Sequence, residues 1–299
     1  MQGEAWSRGE RRRLSSEGMN PAQAKDLFAR LFMPGALGSS RAQASVMVVA
    51  AHPDDEVIGA GAWLRNRQDA VFVHVTDGAP HDMKDARESG FGSREEYAQA
   101  RRAEFRAALE LLGVTPRREI ALNYTDQEAS LHLTELAARL QSLFAELSPD
   151  IILTLPYEGG HPDHDAIAWA VAVASSRAQQ EHGAAPLVVE MTCYHSGTYG
   201  MVAGEFLPEE TCPSIVHELT PEQCAFKRRL YGCYASQQRT LRWFPIEIEA
   251  FRPAPRYDFR KPPHEGKLFY EQFKWGMSGA RWRALAAQAS NSVQTAQIA

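Results

Sequence analysis

The amino-acid sequence predicts an α/β fold of the Rossmann-like kind, in which helices cover both faces of a mainly parallel sheet. The first observation behind this prediction is a series of short, continuous apolar runs such as Val46–Ala50, which are typical of strands buried on both faces. The second is that these runs alternate with longer amphipathic stretches, which implies β-α-β crossovers. In such sheets the ligand crevice lies beyond the carboxyl ends of the strands.

The elements follow this alternation from residue 45 onward. Apolar runs predict strands at 46–50, 71–75, 119–122, 150–155 and 187–194. Helical periodicity predicts helices at 58–67, 94–112, 131–147 and 161–177. Gly113 ends the second of these helices, and Pro149 follows the third. From about residue 211 the pattern weakens to a strand at 214–218, a helix at 221–236 and a segment rich in proline and aromatic residues.

These elements are expected to form a single α/β domain over residues 19–287, with the part from about 211 covering it. Residues 1–18 are expected to be a disordered basic tail, because no apolar stretch follows their arginines as a secretory signal would require. Residues 288–299 are small and polar and are expected to fray. The polar segment at 79–93 is expected to be a long loop, which either closes over a substrate or is a solvated insertion.

Composition excludes several classes of protein. The chain has 299 residues, of which 44% are hydrophobic and 23% charged, as in ordinary globular proteins. A formal charge of −5 does not favour a nucleic-acid partner. The apolar runs are far shorter than the ~20 residues of a membrane helix, so we expect no integral membrane segment. The four cysteines lack C-x-x-C spacing, which predicts buried free thiols in a reducing, cytoplasmic compartment. Both a monomer and a homo-oligomer are compatible with this composition.

Two short segments combine histidine, proline and aspartate where a strand gives way to a helix. They are residues 52–56 (His-Pro-Asp-Asp-Glu) and 161–164 (His-Pro-Asp-His). The proline and the acids are ordinary helix-start residues, but a charged histidine there would face the positive end of the helix dipole. A neutral imidazole bound to a metal ion, with carboxylates nearby, removes this conflict. The two segments together therefore predict a metal site, of the kind in which a metal-bound water attacks a substrate.

The two segments resemble the signature motifs of the PIG-L/LmbE-like N-deacetylases. These zinc-dependent enzymes remove acetyl groups from N-acetyl amino sugars such as N-acetylglucosamine and from their conjugates. The resemblance extends to the strand that ends in Thr-Asp-Gly at 76–78, to an Arg-x-x-Glu helix at 101–104 and to the loop at 123–126. It covers roughly residues 45–175 and implies an LmbE-like fold.

The resemblance also implies roles for individual residues. It implies metal ligands His52, Asp55 and His164, catalytic residues Asp54, His161 and Asp163, and substrate-binding residues Arg101 and Asp126. Asp54 would be the general base. His161 would stabilise the oxyanion or protonate the leaving amine, with Asp163 orienting it. The metal is expected to be Zn²⁺, although Fe²⁺ suits the same ligand types.

Two residues near the motifs have no settled role. Some family members carry a mobile tyrosine two residues before the second motif, where this sequence has Gly159; the nearest tyrosine is Tyr157. His195 follows a predicted strand at the same edge of the sheet, and either contacts the substrate or is an ordinary loop histidine.

The leading interpretation is therefore a zinc-dependent deacetylase whose partner is a small-molecule N-acetyl amino sugar or glycoconjugate. The first alternative is another metal-dependent hydrolase, acting on a non-sugar amide or a phosphoester. The second is an inactive member that binds a metal or a glycan, against which the intact Asp54 argues. A nucleotide-binding module is disfavoured because the glycines around 59–61 do not complete a dinucleotide fingerprint.

Overall fold

The computed structural model describes residues 21–33, 44–115, 118–183 and 185–295. The basic tail predicted over 1–18 lies outside the described residues. In chain order the strands are β1 (Val46–Ala50), β2 (Val71–Pro80), β3 (Glu119–Asp126), β4 (Ile151–Thr154), β5 (Leu187–Met191), β6 (Tyr194–Gly197), β7 (Gly200–Ala203), β8 (Ile215–Glu218) and β9 (Ile248–Pro253). The helices are α1 (Pro21–Phe32), α2 (Asp55–Leu64), α3 (Lys84–Glu88), α4 (Arg94–Leu112), α5 (Leu133–Leu147), α6 (Pro162–His182), α7 (Pro221–Gly232), α8 (Gln238–Leu241) and α9 (Gly279–Thr295).

The strands form a seven-stranded sheet in the order β3-β2-β1-β4-β5-β9-β8, and β6 pairs with β7 in a separate hairpin. Strands β1 to β5 run parallel, while β9 and β8 are antiparallel to their neighbours. The predicted mainly parallel α/β fold is thereby confirmed. All five residues of β1 are buried, which explains why its sequence is apolar without alternation.

Local signals define the helices that begin at the carboxyl ends of the strands. Helix α4 spans the predicted range; the Ser93 side chain accepts a hydrogen bond from the Glu96 N–H at its start, and Gly113 ends it with a φ of 74°. Helix α6 starts with Pro162 in its first turn and ends at Gly183, several residues later than predicted. No helix among the described residues is long and apolar enough to cross a membrane.

The C-terminal third does more than cover the domain. Strand β9 was not predicted, yet it pairs with β5 and continues the sheet to β8. Its charged residues hide the strand pattern, because Glu249 and Arg252 are buried beside partners that the sequence does not identify. Glu249 faces Lys227 at 3.2 Å. Burial of such pairs is decided by contacts distant in sequence.

Three further expectations need correction. The tail predicted to fray from 288 is helical to Thr295, because Ala289 and Val293 continue the buried face of α9, which packs on α5. The loop expected at 79–93 contains α3, and the strand predicted at 187–194 ends at Met191 before the β6–β7 hairpin. The cysteines are free, but they are not all buried: two of them, Cys212 and Cys233, are partly exposed.

A buried charge cluster connects β9 to the loop in front of α6. Arg252, which is 2% exposed, donates from Nε to Glu190 (2.8 Å) and from Nη2 to Glu158 (3.1 Å). Glu158 also accepts a hydrogen bond from the Leu207 N–H at 2.7 Å. Burial raises the pKa of Glu158 to about 8 and that of Glu190 to about 7, although Arg252 opposes both shifts. Since Glu158 lies three residues before His161, this cluster fixes the approach to the second motif.

We expect Arg252→Met to lower the free energy of unfolding by about 3–5 kcal/mol, because it removes the cation that contacts two buried carboxylates, Glu158 and Glu190. Urea unfolding followed by circular dichroism at pH 7 measures this loss. Arg260→Met is the matched control, because Arg260 is exposed and pairs with Asp258 at the surface. Equal stabilities of the two variants would contradict the structural role of Arg252.

The raised pKa of Glu158 also predicts a pH effect. A carboxyl group whose pKa is higher in the folded state favours folding in its protonated form. That contribution is complete below the usual pKa of glutamate and is lost as the pH rises through about 8. Wild type should therefore lose stability relative to Glu158→Gln between about pH 5 and pH 9. Parallel curves of unfolding free energy against pH would show that Glu158 is ionised throughout.

Candidate metal centre and active site

The first motif is a tight turn between β1 and α2. One carboxylate oxygen of Asp55, Oδ2, accepts hydrogen bonds from the backbone N–H groups of Ala51 (3.1 Å) and His52 (2.8 Å). Asp54, between them and the helix, has a φ of 134°, a conformation that is strained for a residue with a side chain. The acidic residues thus shape the turn that carries them.

The second motif is the N-terminus of α6. His161 is the N-cap residue, and its Nδ1 accepts a hydrogen bond from the Asp163 N–H at 3.2 Å. His164 lies in the first helical turn. Just before the motif, the Gly159 N–H donates to Asp165 Oδ1 at 3.0 Å. This bond closes the loop onto the start of the helix.

The fold brings the histidines of the two motifs together. The ring centroids of His52 and His161 are 4.5 Å apart, and the ring of His164 lies 5.4 Å from the first and 5.3 Å from the second. One ring nitrogen from each lies within 4.8 Å of the others. Asp55 contacts two of them, with Oδ2 3.4 Å from His52 Nδ1 and Oδ1 3.3 Å from His164 Nε2.

Two further donor groups overlap with these histidines. Asp126 Oδ1 lies 3.0 Å from His52 Nε2 and 3.6 Å from His161 Nε2, and Asp163 Oδ2 lies 3.4 Å from His52 Nε2. Asp55, His164 and Cys193 form another group, in which the thiol is 3.9 Å from Asp55 Oδ1. The sequence analysis assigned Asp126 to substrate binding and gave Cys193 no role at the site. Their positions could have indicated this proximity, because both lie at the carboxyl ends of strands along the same edge of the sheet.

The charges of these groups suit a metal ion. Burial lowers the pKa of His52, but Asp126 and other carboxylates outweigh this effect and raise it well above its usual range. Burial and the neighbouring His52 lower the pKa of His161. Burial alone would raise the pKa of Asp55. The contacts with His164 and His52 have the larger, opposite effect and hold this pKa well below its usual range. A divalent cation would balance the charge of the carboxylates, and imidazole nitrogens with carboxylate oxygens fit Zn²⁺ or Fe²⁺.

Arg101 contacts both the backbone and a side chain of the first motif. Its Nη2 donates to Pro53 O (2.7 Å) and lies 3.3 Å from Asp54 Oδ2, while Nη1 donates to Gly78 O (2.9 Å). The side chain is buried, so the structure places this predicted substrate-binding residue against the protein. Burial raises the pKa of Asp54 to about 8, with Arg101 opposing the shift.

Glu56 also supports Asp54, through a contact with its backbone. It is fully buried, and its Oε2 accepts from the Asp54 N–H (3.2 Å) and contacts His74 Nε2 (3.0 Å). The Tyr234 hydroxyl donates to its other oxygen. The strained backbone of Asp54 is therefore held by a buried side-chain network that includes a residue of the C-terminal third.

The structure gives Asp163 a loop-binding position. Its two oxygens accept hydrogen bonds from the Gln127 N–H (2.6 Å) and the Ala129 N–H (3.0 Å), in the loop that follows Asp126. Oδ2 also lies 3.8 Å from His161 Nδ1. Asp163 thus joins the second motif to the end of β3, and its orienting role toward His161 stays a prediction.

Tyr157 and His195 lie outside these donor groups. The Tyr157 hydroxyl donates to Lys261 O at 2.9 Å, and its ring packs against Trp282 in α9. His195 is 6% exposed, and its Nδ1 is 2.9 Å from Ser196 O. Neither residue has a contact with the three clustered histidines that would support an assisting role.

Comparison with known proteins agrees with this geometry. Residues 47–175 match the PIG-L family, whose description is GlcNAc-PI de-N-acetylase. This match spans less than half of the chain. It confirms the resemblance indicated by the motifs, and both histidine motifs lie within the matched residues.

The curated relatives extend beyond the region they share with this chain. A probable N-acetyl-α-D-glucosaminyl L-malate deacetylase 2 of Bacillus cereus is 32% identical over 140 residues, which are 46% of this chain and 63% of that relative. A diacetylchitobiose deacetylase of Thermococcus kodakarensis is 32% identical over 127 residues, 40% of this chain and 44% of that relative. The match thus spans less than two thirds of either relative.

Solved structures confirm the fold of the chain beyond the residues matched by the family. A deacetylase of the teicoplanin biosynthesis pathway superposes with a TM-score of 0.56 at 20% identity, covering 72% of this chain and 99% of its own. A structure described as the zinc-inhibited form of a teicoplanin deacetylase gives 0.54 at 19% identity, with the same shares covered. At this identity the likeness concerns the fold.

We expect wild type to contain about one zinc or iron ion per chain and His164→Ala to contain little. Removing one of three protein ligands abolishes most of the affinity for the metal. Elemental analysis of proteins purified side by side measures this. His81→Ala is the control, since its side chain is exposed and pairs only with Glu128. Asp55→Ala should also lose the metal. Wild type without metal after reconstitution would contradict the metal centre, and loss in Asp126→Ala but not in Asp55→Ala would reassign the carboxylate ligand.

Proposed function

We propose that this protein is a metal-dependent hydrolase that removes the acetyl group from an N-acetylated amino sugar or its conjugate. The observation that carries the proposal is the meeting of three histidines from two distant motifs with nearby carboxyl groups at the carboxyl edge of the sheet. The PIG-L domain match and relatives named as deacetylases support the same reaction. The proposed ligands are His52, Asp55 and His164.

A bound divalent cation supplies Lewis-acid chemistry, polarising the acetyl carbonyl and lowering the pKa of water. Asp54 acts as the general base and takes a proton from the attacking water. Its pKa, raised to about 8 by burial, suits a group that exchanges a proton near neutral pH. Arg101 and Glu56 hold Asp54 in place from two sides, so Arg101 acts on the reaction chiefly through Asp54.

His161 has the geometry of a hydrogen-bond donor toward the substrate. Because its Nδ1 accepts a hydrogen bond from the Asp163 N–H, the neutral ring carries its proton on Nε2. That N–H can donate a hydrogen bond to the oxyanion that forms when water adds to the amide. The proton that Asp54 took from the water then passes to the leaving amine as the C–N bond breaks. Asp163 orients the ring through its backbone N–H and stays close to Nδ1 through its carboxylate.

Asp126 is the proposed contact for the sugar hydroxyls. Its side chain is 12% exposed, whereas that of Asp163 is fully buried. It lies beside both His52 and His161, so a hydroxyl bound to it would be adjacent to the reacting amide. A hydrolase acting on a phosphoester or a non-sugar amide is the competing function, and assays for phosphate and for amine release separate the candidates.

We expect Asp54→Asn to retain its metal and to lose deacetylation by about 100-fold or more, because an amide cannot accept the proton of water. Amine release from N-acetylglucosamine conjugates and elemental analysis on the same sample measure the two properties. Asp69→Asn serves as the control because Asp69 is exposed and distant from both motifs. Full activity of Asp54→Asn would disprove the assignment of the base. Phosphate release without amine release would favour the competing function.

A further inference from the structure

Four aromatic side chains form a continuous series beside the histidines, which we call the aromatic arc: Tyr194, Phe269, Phe273 and Trp275. The ring centroids of the first two are 5.3 Å apart, and those of Phe269 and Phe273 are 5.4 Å apart. Phe273 stacks on Trp275 with a centroid distance of 4.5 Å and an interplanar angle of 18°.

Both ends of the aromatic arc contact the candidate active site. The ring of Tyr194 lies 5.4 Å from that of His164, and the ring of Trp275 lies 4.9 Å from that of His161. The arc therefore runs from one histidine of the second motif to the other. It is a wall of the site and not part of a separate core.

The backbone fixes the aromatic arc to the loop in front of α6. The Phe269 N–H donates to Gly159 O at 2.9 Å. Gly160 lies directly against Tyr194 O, where a side chain on Gly160 would clash. Glycine is therefore required at this position by the close approach of two backbone segments. The arc keeps its place relative to His161 through these contacts.

The order of strands separates the arc from the polar side of the site. Asp126 ends β3, at one edge of the sheet, whereas Tyr194 follows β5, on the other side of β1 and β4. A sugar whose hydroxyls face Asp126 therefore presents its opposite side toward the arc. Phe273 is 41% exposed, so an apolar ring surface remains open there. Exposed aromatic surface beside a polar site is typical of ligand recognition.

We propose that the aromatic arc is a subsite for an apolar alkyl or aryl group attached to the amino sugar. The inference rests on the proposed function, because the sugar amide must lie at the histidines for its substituent to reach the arc. Aromatic faces offer such a group a large contact area, and stacked rings are already ordered before it binds. Phe273, at the exposed part of the arc, determines this specificity.

The test compares methyl, hexyl and phenyl glycosides of N-acetylglucosamine as substrates. Wild type should deacetylate the hexyl and phenyl glycosides with a higher kcat/KM than the methyl glycoside. Phe273→Ala should lower this preference about 10-fold, mainly by raising KM for the hexyl and phenyl glycosides. Phe273→Leu should restore part of the preference. Val216→Ala is the control, because Val216 is an exposed apolar residue on β8, at the far edge of the sheet.

Two kinetic outcomes would overturn the subsite. Wild type without a preference for the apolar glycosides is one. An equal loss on all three glycosides in Phe273→Ala is the other, since it would mean that the ring packs on the sugar itself.

Calorimetric titration of the metal-loaded protein separates this inference from the proposed function. Binding of the hexyl glycoside that is weakened in Phe273→Ala, without turnover of any glycoside, would support the arc while the proposed deacetylation fails. Equal binding of the methyl and hexyl glycosides would overturn the arc whether or not they are hydrolysed.

Discussion

The parallel pairing of β1 with β4 is the interaction on which the candidate site depends. The first motif directly follows β1, and the second follows β4 after a short loop. The register that places Val49 beside Thr154 brings both strands to the same edge. An antiparallel pair would have sent the two motifs to opposite ends of the sheet. The two helices that follow also direct their N-termini to this edge, where the histidines and carboxylates of both motifs meet.

Several acidic groups lie close together at this edge, and their mutual repulsion and burial would destabilise the fold. Contacts with surrounding residues offset this destabilisation. Arg101 pairs with Asp54, while the side chains of Asp55 and Asp126 contact imidazole rings. The strained backbone at Asp54 persists because Glu56 and the helix that starts beside it fix the neighbouring atoms. Reactive geometry is thus maintained by paired charges and backbone hydrogen bonds, and a bound cation would complete the balance.

The C-terminal third supports the candidate site and carries the aromatic arc beside it. Strand β9 holds the loop before α6 through Arg252, and Trp282 of α9 donates a hydrogen bond to Pro162 O at the start of that helix. The aromatic arc is attached to the same loop. The family match ends at residue 175, so the part of the chain beyond it supplies both the support and the proposed specificity of the site.

The sequence by itself determined the parallel α/β fold and the helices with clear caps, such as α4, because periodicity and capping are local properties. It also singled out both motifs, since a histidine at a helix start conflicts with the helix dipole. The family resemblance then predicted His52, Asp55 and His164 as metal ligands. Only the tertiary structure placed Arg101 against Asp54, brought Asp126 and Cys193 to the histidines, and revealed β9 and the aromatic arc. These features depend on pairing between residues distant in sequence, and a charged or aromatic residue gives no local sign of the partner that buries it.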